Sequence, residues 1–317
     1  MLGKWIRRIG MVIAALMVII LGIGAYIGNL AYEEFTRTPW DSVLGIENHS
    51  ADVAPAREME QERGWEAVRI EAADGISLRG TYIEDSGPSH NTVILLHGLY
   101  QNRSMCLAYV PIYRNLGYNV LLIDQRGHGE SGGTATEWGL KEVDDISRWV
   151  SWLKHRDPAM RVGLHGISLG AAMSLLYAGS DQGQDAAFVV ADSSYGNIVD
   201  LGREKLRQVS KDERIIWGYN VLDIFFQGAM LWHTHKLLSH IEPAVAVRSV
   251  HSPVLFLHGA DDALVPVRTA QSLYERCASP HKDIYIFANS PHAAGIESNR
   301  DEYRTAVRQF LQNLSHP

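Results

Sequence analysis

The hydrophobic pattern of the chain begins with one long apolar run. Residues 9–27 carry no charge, and as a helix these 19 residues extend about 28 Å, close to the roughly 30 Å hydrocarbon core of a bilayer. Lys4, Arg7 and Arg8 precede the run, and two glutamates follow Tyr32. Because basic residues stay on the cytoplasmic side of a membrane, this charge pattern predicts a cytoplasmic N-terminus and an extracytoplasmic body.

Residues 1–32 are therefore predicted to form a single transmembrane anchor. The alternative is a cleaved signal peptide, which is disfavoured because the run is longer than a typical signal h-region and no clear A-x-A cleavage site follows it. Gly24 and Gly28 have the G-x-x-x-G spacing that lets two membrane helices touch. Residues 33–65 are polar, mixed in charge and contain two prolines, so they are predicted to be a connecting segment, either a tether or short helices that pack on the edge of the domain.

A different pattern governs residues 66–317, where short apolar segments alternate with segments of helical period. Two segments with period-two alternation meet at Asp74-Gly75, which predicts a hairpin. The later strands are mainly apolar and do not alternate, as expected for a mostly parallel sheet covered by helices on both faces. The predicted fold class is therefore α/β, with a central sheet of about eight strands. The predicted strands are 66–72, 76–83, 92–96, 119–123, 161–165, 187–190, 253–257 and 283–287. Helices are predicted at 104–116 and within 140–153, 171–176, 267–277 and 303–314.

The interval 196–250 interrupts the alternation of strands and helices. It contains no clear strand, and at about 55 residues it is too long for one crossover helix with its loop. Its helical pieces are rich in aromatic side chains, among them Trp217, Phe225 and Trp232. We therefore expect a helical cap that is inserted over the carboxyl ends of the strands.

Composition excludes one class of partner and two kinds of site. A net charge of −7 and a pI near 6.0 leave no basic surface to neutralise phosphates, so no nucleic-acid partner is expected. Cys106 and Cys277 form no metal or redox motif and are predicted to be buried thiols, with a disulfide as the alternative in an exported domain. The histidines around His233 have no acidic partner at ligand spacing, so no metal site is predicted there.

The segment Gly166-Ile167-Ser168-Leu169-Gly170 carries the most chemical information. It follows a predicted strand and precedes a predicted helix. Glycines two positions before and after a serine relieve the crowding of a sharp strand-to-helix turn, and the turn exposes the serine hydroxyl. The same turn directs the backbone N–H of Leu169 toward the group that the serine attacks. The pattern therefore predicts that Ser168 is a nucleophile.

Further motifs follow the other predicted strands, where the functional groups of an open α/β sheet collect. A His-Gly pair follows the strand 92–96, D-x-R-G-x-G-x-S begins at Asp124, G-x-x-D-x-x-V-P begins at Gly259, and His292 follows the last strand. Together with G-x-S-x-G, this set resembles the α/β-hydrolase superfamily over roughly residues 66–317. The apolar N-terminal helix makes the chain similar to bacterial membrane-anchored serine hydrolases of the esterase and serine-aminopeptidase-like branches.

The resemblance implies a role for each residue of a catalytic triad. The chain order of serine, acid and histidine in that superfamily implies Ser168 as the nucleophile, Asp262 as the orienting carboxylate and His292 as the general base. Asp261 and Asp192 remain alternatives for the acid.

The resemblance also implies an oxyanion hole made of two backbone N–H groups. One belongs to Leu169, and the other belongs to Leu99 in the loop after the His-Gly pair, with Tyr100 as the alternative.

Other histidines compete for the role of the base, but those beside motif glycines are expected to pack or to tie loops. These histidines are His97, His165 and His258.

The predicted function is a membrane-tethered serine hydrolase that cleaves a carboxylic ester at the extracytoplasmic face. An apolar cap favours an apolar acyl group or side chain. A peptidase or amidase of the same fold and an acyltransferase are alternatives within this chemistry, and a non-catalytic binding protein is the alternative outside it. The chemistry requires no cofactor and no metal. The expected partners are a small-molecule ester or a short peptide and, through the N-terminal helix, the lipid bilayer.

Overall fold

The computed structural model describes residues 2–37, 41, 44–210 and 212–315. The chain divides into two compact units, of which the sheet unit comprises residues 39–201 and 239–317 and the helical unit comprises residues 1–38 and 202–238. The predicted cap 196–250 thus falls partly in each unit, and its placement over the strand ends stays a prediction.

One eight-stranded sheet forms the centre of the sheet unit. Its strands are β1 (Glu66–Glu71), β2 (Ser77–Ile83), β3 (Asn91–Leu96), β4 (Asn119–Ile123), β5 (Arg161–Ile167), β6 (Val189–Asp192), β7 (Val254–Gly259) and β8 (Lys282–Phe287). They are arranged in the order β1-β2-β4-β3-β5-β6-β7-β8. The pairs β1–β2 and β2–β4 are antiparallel, and all other neighbours are parallel. The predicted α/β fold with a mostly parallel sheet is confirmed.

Helices cover both faces of the sheet. Val189 of β6 packs in a core cluster with Cys277, whereas Val190 packs in another cluster with Cys106. Because successive strand residues point to opposite faces, a hydrophobic core lies on each side of the sheet. Both cysteines are buried free thiols, as predicted.

The helices in the described residues are α1 (Leu2–Arg37), α2 (Ala54–Arg63), α3 (Val110–Arg114), α4 (Glu142–Arg156), α5 (Leu169–Ala178), α6 (Ile198–Val209), α7 (Glu213–Thr234), α8 (Pro243–Ala246), α9 (Arg268–Arg276), α10 (Gly295–Ser298) and α11 (Arg300–Ser315).

The predicted strands and helices lie within a few residues of the observed ones, with one informative exception. The helix expected at 104–116 is a 3-10 turn, Met105–Tyr109, followed by the short α3. Pro111 occupies the first turn of α3. Because proline donates no backbone hydrogen bond, it is favoured at the start of a helix and interrupts one that has already begun.

A buried ion cluster joins α2 to the sheet. Arg103 is fully buried and forms ion pairs with Asp124, Glu130 and Glu60. Glu60 lies on α2 and also pairs with Arg79 of β2 at 2.7 Å. Part of the predicted connecting segment is therefore held on the sheet by charge.

Replacing Arg103 by alanine is expected to lower the free energy of unfolding by about 3–5 kcal/mol, because it leaves buried carboxylates without a counter-charge. Denaturant unfolding measures this loss. Arg57 pairs with the same Glu130, but its side chain is 55% exposed, so Arg57→Ala is the control and changes stability little. Equal losses in the two variants would contradict a role for burial.

The helical unit pairs α1 with α7. The segment Lys4–Phe35 of α1 is long and apolar enough to cross a membrane, and almost none of it is buried. A helix of this length and composition, close to the N-terminus, serves as a single-pass anchor or as a signal sequence. Gly24 and Gly28 pack against Phe225 of α7, where a methyl group on either glycine would overlap the ring or backbone of the phenylalanine. The G-x-x-x-G groove thus receives a helix of the same chain.

Candidate active site

Ser168 occupies a tight turn between β5 and α5. It has φ 53° and ψ −110°, a conformation that residues with a side chain rarely adopt. No side chain fits at the two flanking glycines. A methyl group on Gly166 would overlap the carbonyl of Gly170, and one on Gly170 would overlap the carbonyl of Leu96. The segment therefore has the strand–turn–helix geometry that its sequence predicts.

The structure brings Ser168, His292 and Asp262 together at one edge of the sheet. His292 Nε2 lies 2.9 Å from Ser168 Oγ, and His292 Nδ1 lies 2.7 Å from Asp262 Oδ2. With its proton on Nδ1, the imidazole donates to the carboxylate and leaves Nε2 to accept the serine proton. The serine and the histidine are 124 residues apart in the sequence, so this contact is created by the fold.

Asp262 is buried, and both of its carboxylate oxygens are engaged. Oδ1 accepts hydrogen bonds from the backbone N–H groups of Leu264 at 2.9 Å and Val265 at 2.7 Å. Oδ2 faces His292 and His258. Burial opposes ionisation, but the hydrogen bonds from His258 and His292 outweigh it and hold the pKa of Asp262 well below its usual range. Asp262 is therefore an ionised carboxylate.

His258 also belongs to this cluster, whereas its sequence context predicted only a residue that packs or ties a loop. Its ring is fully buried, with Nε2 at 3.1 Å from Asp262 Oδ2 and 2.9 Å from the carbonyl of Val265. Because both neighbours are acceptors, Nε2 carries a proton. Burial opposes a charge on the ring, but the hydrogen bonds to Asp262 and Val265 outweigh it and raise the pKa of His258. The four-residue spacing from His258 to Asp262 was the signal available in the sequence.

Neither alternative acid forms a hydrogen bond with His292 in the part of the chain that the structure describes. Asp261 is exposed. Asp192 is buried, and its Oδ1 accepts a hydrogen bond from Ser193 Oγ at 2.9 Å. Ser193 Oγ in turn accepts from the backbone N–H of Ala293 at 3.1 Å. Because Ala293 directly follows His292, Asp192 and Ser193 hold the loop that carries the histidine.

Ser193→Ala is expected to lower kcat by roughly 10- to 100-fold with little change in KM, because a small displacement of His292 spoils its alignment with Ser168. Steady-state kinetics on an aryl ester measure both constants. Ser194→Ala is the matched control, since its hydroxyl donates to the carbonyl of Tyr195 and does not reach the histidine loop. An unchanged kcat in Ser193→Ala would show that the loop needs no such support.

The loop after β3 passes beside Ser168. A methyl group on Gly98 would lie 3.6 Å from Cβ of Ser168. The N–H of Tyr100 donates to a buried histidine ring at 3.1 Å, so of the two predicted donors in this loop Leu99 is the better candidate. Leu169 is the first residue of α5, where a backbone N–H has no acceptor within its own helix.

Two buried histidines stabilise the core beneath this edge of the sheet, as expected from their positions beside motif glycines. His165 accepts from Tyr113 Oη at Nδ1 and donates from Nε2 to Tyr303 Oη, both at 2.9 Å. His97 accepts at Nε2 from the backbone N–H of Gln125 at 3.0 Å. Burial lowers the pKa of both His97 and His165 to about 3, so both rings are neutral.

These histidines are expected to make the fold sensitive to acid. An unfolded histidine has a pKa of about 6.5, so between about pH 6.5 and 3 the unfolded chain binds protons that His97 and His165 exclude. Stability is therefore full above about pH 6.5 and falls below it, by roughly 3 kcal/mol per histidine at about pH 4. Denaturant unfolding across this range measures the loss. His165→Gln should reduce the slope, the exposed His251→Gln should not, and a flat profile would contradict the expectation.

Comparison with known proteins gives the family of the chain. Residues 87–198 match the family model of serine aminopeptidase, S33. The uncharacterized protein YqkD of Bacillus subtilis is 30% identical over 310 residues, which are 98% of each chain. The lysophosphatidylserine lipase ABHD12 of Danio rerio is 27% identical over 60% of this chain and 48% of its own. The esterase Pf2001 of Pyrococcus furiosus superposes with a TM-score of 0.63 at 26% identity, over 80% of this chain and 95% of that chain.

The order of the sheet and these matches together show that the chain belongs to the α/β-hydrolase superfamily. Within that superfamily, its central part is similar to the serine aminopeptidases, and almost its whole length is similar to the Bacillus protein.

Proposed function

We propose that the protein is a serine hydrolase that cleaves a carboxylic ester. The observation that carries the proposal is the hydrogen-bonded line from Ser168 through His292 to Asp262, with distances of 2.9 and 2.7 Å. A serine hydroxyl is barely acidic, and it becomes a nucleophile when a base within hydrogen-bond reach takes its proton. The geometry meets this requirement.

The reaction proceeds through an acyl-enzyme. Ser168 Oγ attacks the ester carbonyl while His292 Nε2 takes the hydroxyl proton, and the N–H groups of Leu99 and Leu169 stabilise the oxyanion by roughly 3 kcal/mol each. His292 then gives the proton to the leaving alcohol, and the acyl group stays on Ser168. Water attacks the acyl-enzyme with His292 again as base, which releases the acid. Asp262 remains ionised and stabilises the imidazolium.

An ester is favoured over an amide by two of the comparisons. The solved structure at 26% identity is an esterase, and one curated relative is a lysophosphatidylserine lipase. The match to serine aminopeptidases supports a peptidase as the alternative. The same triad also serves an acyltransferase, in which an alcohol or amine replaces the water.

The proposal includes a retained membrane anchor, a cytoplasmic N-terminus and an extracytoplasmic sheet unit. The charges on the two sides of the apolar run give this orientation. Gly24 and Gly28 pack against Phe225, so removal of α1 by a signal peptidase would uncover an apolar face of α7. This packing favours an anchor over a cleaved signal peptide.

A fluorophosphonate probe tests the proposed nucleophile. The expected result is one covalent adduct, mapped to Ser168 by mass spectrometry and absent from Ser168→Ala. Rates on a matched aryl ester, aryl amide and aminoacyl anilide then test the substrate class, and we expect the ester to react fastest. An unlabelled Ser168 would overturn the mechanism. A faster aminoacyl anilide would favour the peptidase, and transfer to an added alcohol would favour the acyltransferase.

A further inference from the structure

The polar side chains of α7 lie on one narrow stripe. Asn220, Asp223 and Gln227 follow one another at helical spacing, and they share this side of the helix. Gln227 donates to Asp223 at 3.0 Å, and Arg203 of α6 donates to Asn220 at 2.9 Å. Away from this stripe and the charged first turn, the circumference of α7 is dominated by apolar residues.

One apolar face of α7 packs on α1. Phe225 fills the groove at Gly24 and Gly28, so the two helices approach closely. Phe226 meets Phe35 edge to face, with ring centroids 5.2 Å apart. At these positions the two helices meet through apolar side chains and glycine.

The position of this contact along α1 gives the depth at which α7 lies in a bilayer that α1 crosses. Tyr32 ends the uncharged run of α1, and Gly24 and Gly28 lie about 6–12 Å inside that end. His233 of α7 stacks on Tyr32 with ring centroids 4.7 Å apart and forms a 2.6 Å hydrogen bond with Asn29. With α1 across a bilayer, the part of α7 that contacts α1 lies where the hydrocarbon meets the headgroups.

A second apolar face of α7 is uncovered. Trp217, Ile224 and Leu231 recur every seven residues along one line, and their exposed fractions are 69%, 70% and 46%. Trp232 on the flank of this line is 81% exposed. Large exposed apolar surfaces mark sites of interaction, and tryptophan is enriched where a bilayer meets water. On α1, Tyr26 and Leu30 are close in sequence to the contacting glycines and are also exposed, at 66% and 47%.

We propose that α7 is a second membrane-bound helix, which lies in the outer leaflet with Trp217, Ile224 and Leu231 against phospholipid acyl chains. The inference rests on the proposed anchoring by α1, and it is independent of the chemistry at Ser168. The chain then contacts the bilayer through two segments that are far apart in the sequence, α1 and the insertion between β6 and β7. A helix of this kind binds by its buried apolar area, as interfacial amphipathic helices do.

Spin labelling of the full-length protein in phosphatidylcholine–phosphatidylglycerol vesicles tests this placement. A nitroxide at Ile224→Cys probes the proposed lipid face, one at Asn220→Cys probes the polar stripe, and one at Ile13→Cys probes the middle of α1. Both native thiols are buried, and the unsubstituted protein controls for their labelling. Power saturation compares collisions with oxygen, which concentrates in hydrocarbon, and with a water-soluble nickel chelate, which is excluded from it.

The expected ratio of oxygen to nickel collisions is roughly fivefold higher at Ile224 and Ile13 than at Asn220, because hydrocarbon excludes the polar reagent. A label at Ile224 that meets mainly nickel while Ile13 meets oxygen would overturn the inference and leave the anchoring intact. Nickel contact at both positions would overturn the anchoring as well. Dipolar broadening at Ile224 that vanishes on dilution with unlabelled protein would assign this face to a second copy and also overturn the inference.

Discussion

Ser168→Ala is expected to lower kcat for ester hydrolysis by on the order of 10⁶, because no other oxygen takes the place of the missing nucleophile. His292 and the N–H groups of Leu99 and Leu169 stay in place, so the residual rate reports what a general base and an oxyanion hole achieve with water alone. Steady-state rates on an aryl ester measure the loss. Single-turnover experiments should in addition show that no acyl-enzyme accumulates in the variant.

Ser174→Ala is the matched control for this substitution. Ser174 is buried in α5, the helix that follows Ser168, and donates to the carbonyl of Gly170 at 2.8 Å. The variant therefore removes a buried hydroxyl without changing the reacting groups. We expect its kcat to stay close to that of the original protein. If Ser168→Ala retained activity within about tenfold, the nucleophile would lie elsewhere and the proposed function would be wrong.

Asp262→Asn is expected to lower kcat by about 10⁴, the size of effect known when the acid of a serine protease triad becomes an amide. Because Oδ1 accepts from the N–H groups of Leu264 and Val265, the new NH₂ group must take the place of Oδ2. It then faces His292 Nδ1, which has to lose its proton and become the acceptor. The imidazole proton moves to Nε2, and the ring no longer accepts from Ser168.

Asp261→Asn separates this effect from a change in charge. Asp261 is the exposed neighbour of Asp262, and the substitution removes the same negative charge from the same loop. We expect nearly unchanged kinetics in this variant, and a pH profile of kcat/KM that is altered in Asp262→Asn alone. Comparable losses in the two variants would mean that the loop acts through its overall charge and not through orientation of the histidine.

Much of the sheet unit was predictable from the sequence because its signals are local. Strands buried on both faces form apolar runs in the sequence, and Asp74-Gly75 marks the turn between β1 and β2. Ser168 has an equally local signal, because the glycines at positions 166 and 170 are needed to make room for its turn. His292 and Asp262 were predicted from a family resemblance. The order of serine, acid and histidine along the chain identifies them, whereas their separation in the sequence gives no sign that they meet.

The supporting residues of the site were not predicted from the sequence. His258 was expected to pack or to tie a loop, and the structure also places it on the same carboxylate oxygen of Asp262 as the catalytic candidate His292. Ser193 had no signal beyond its place after a strand, and its contact with Ala293 joins residues 100 positions apart. Long-range hydrogen bonds of this kind leave no periodicity in a sequence.

The helix in the glycine groove of α1 has a practical consequence for handling the protein. Removal of a single N-terminal helix is the usual way to obtain a soluble form of an anchored enzyme. Here the same cut takes away the surface on which Phe225 and Phe226 rest, and the shortened chain would carry α7 with two bare apolar sides. A water-soluble form therefore has to lose α7 together with α1, because each helix covers an apolar face of the other.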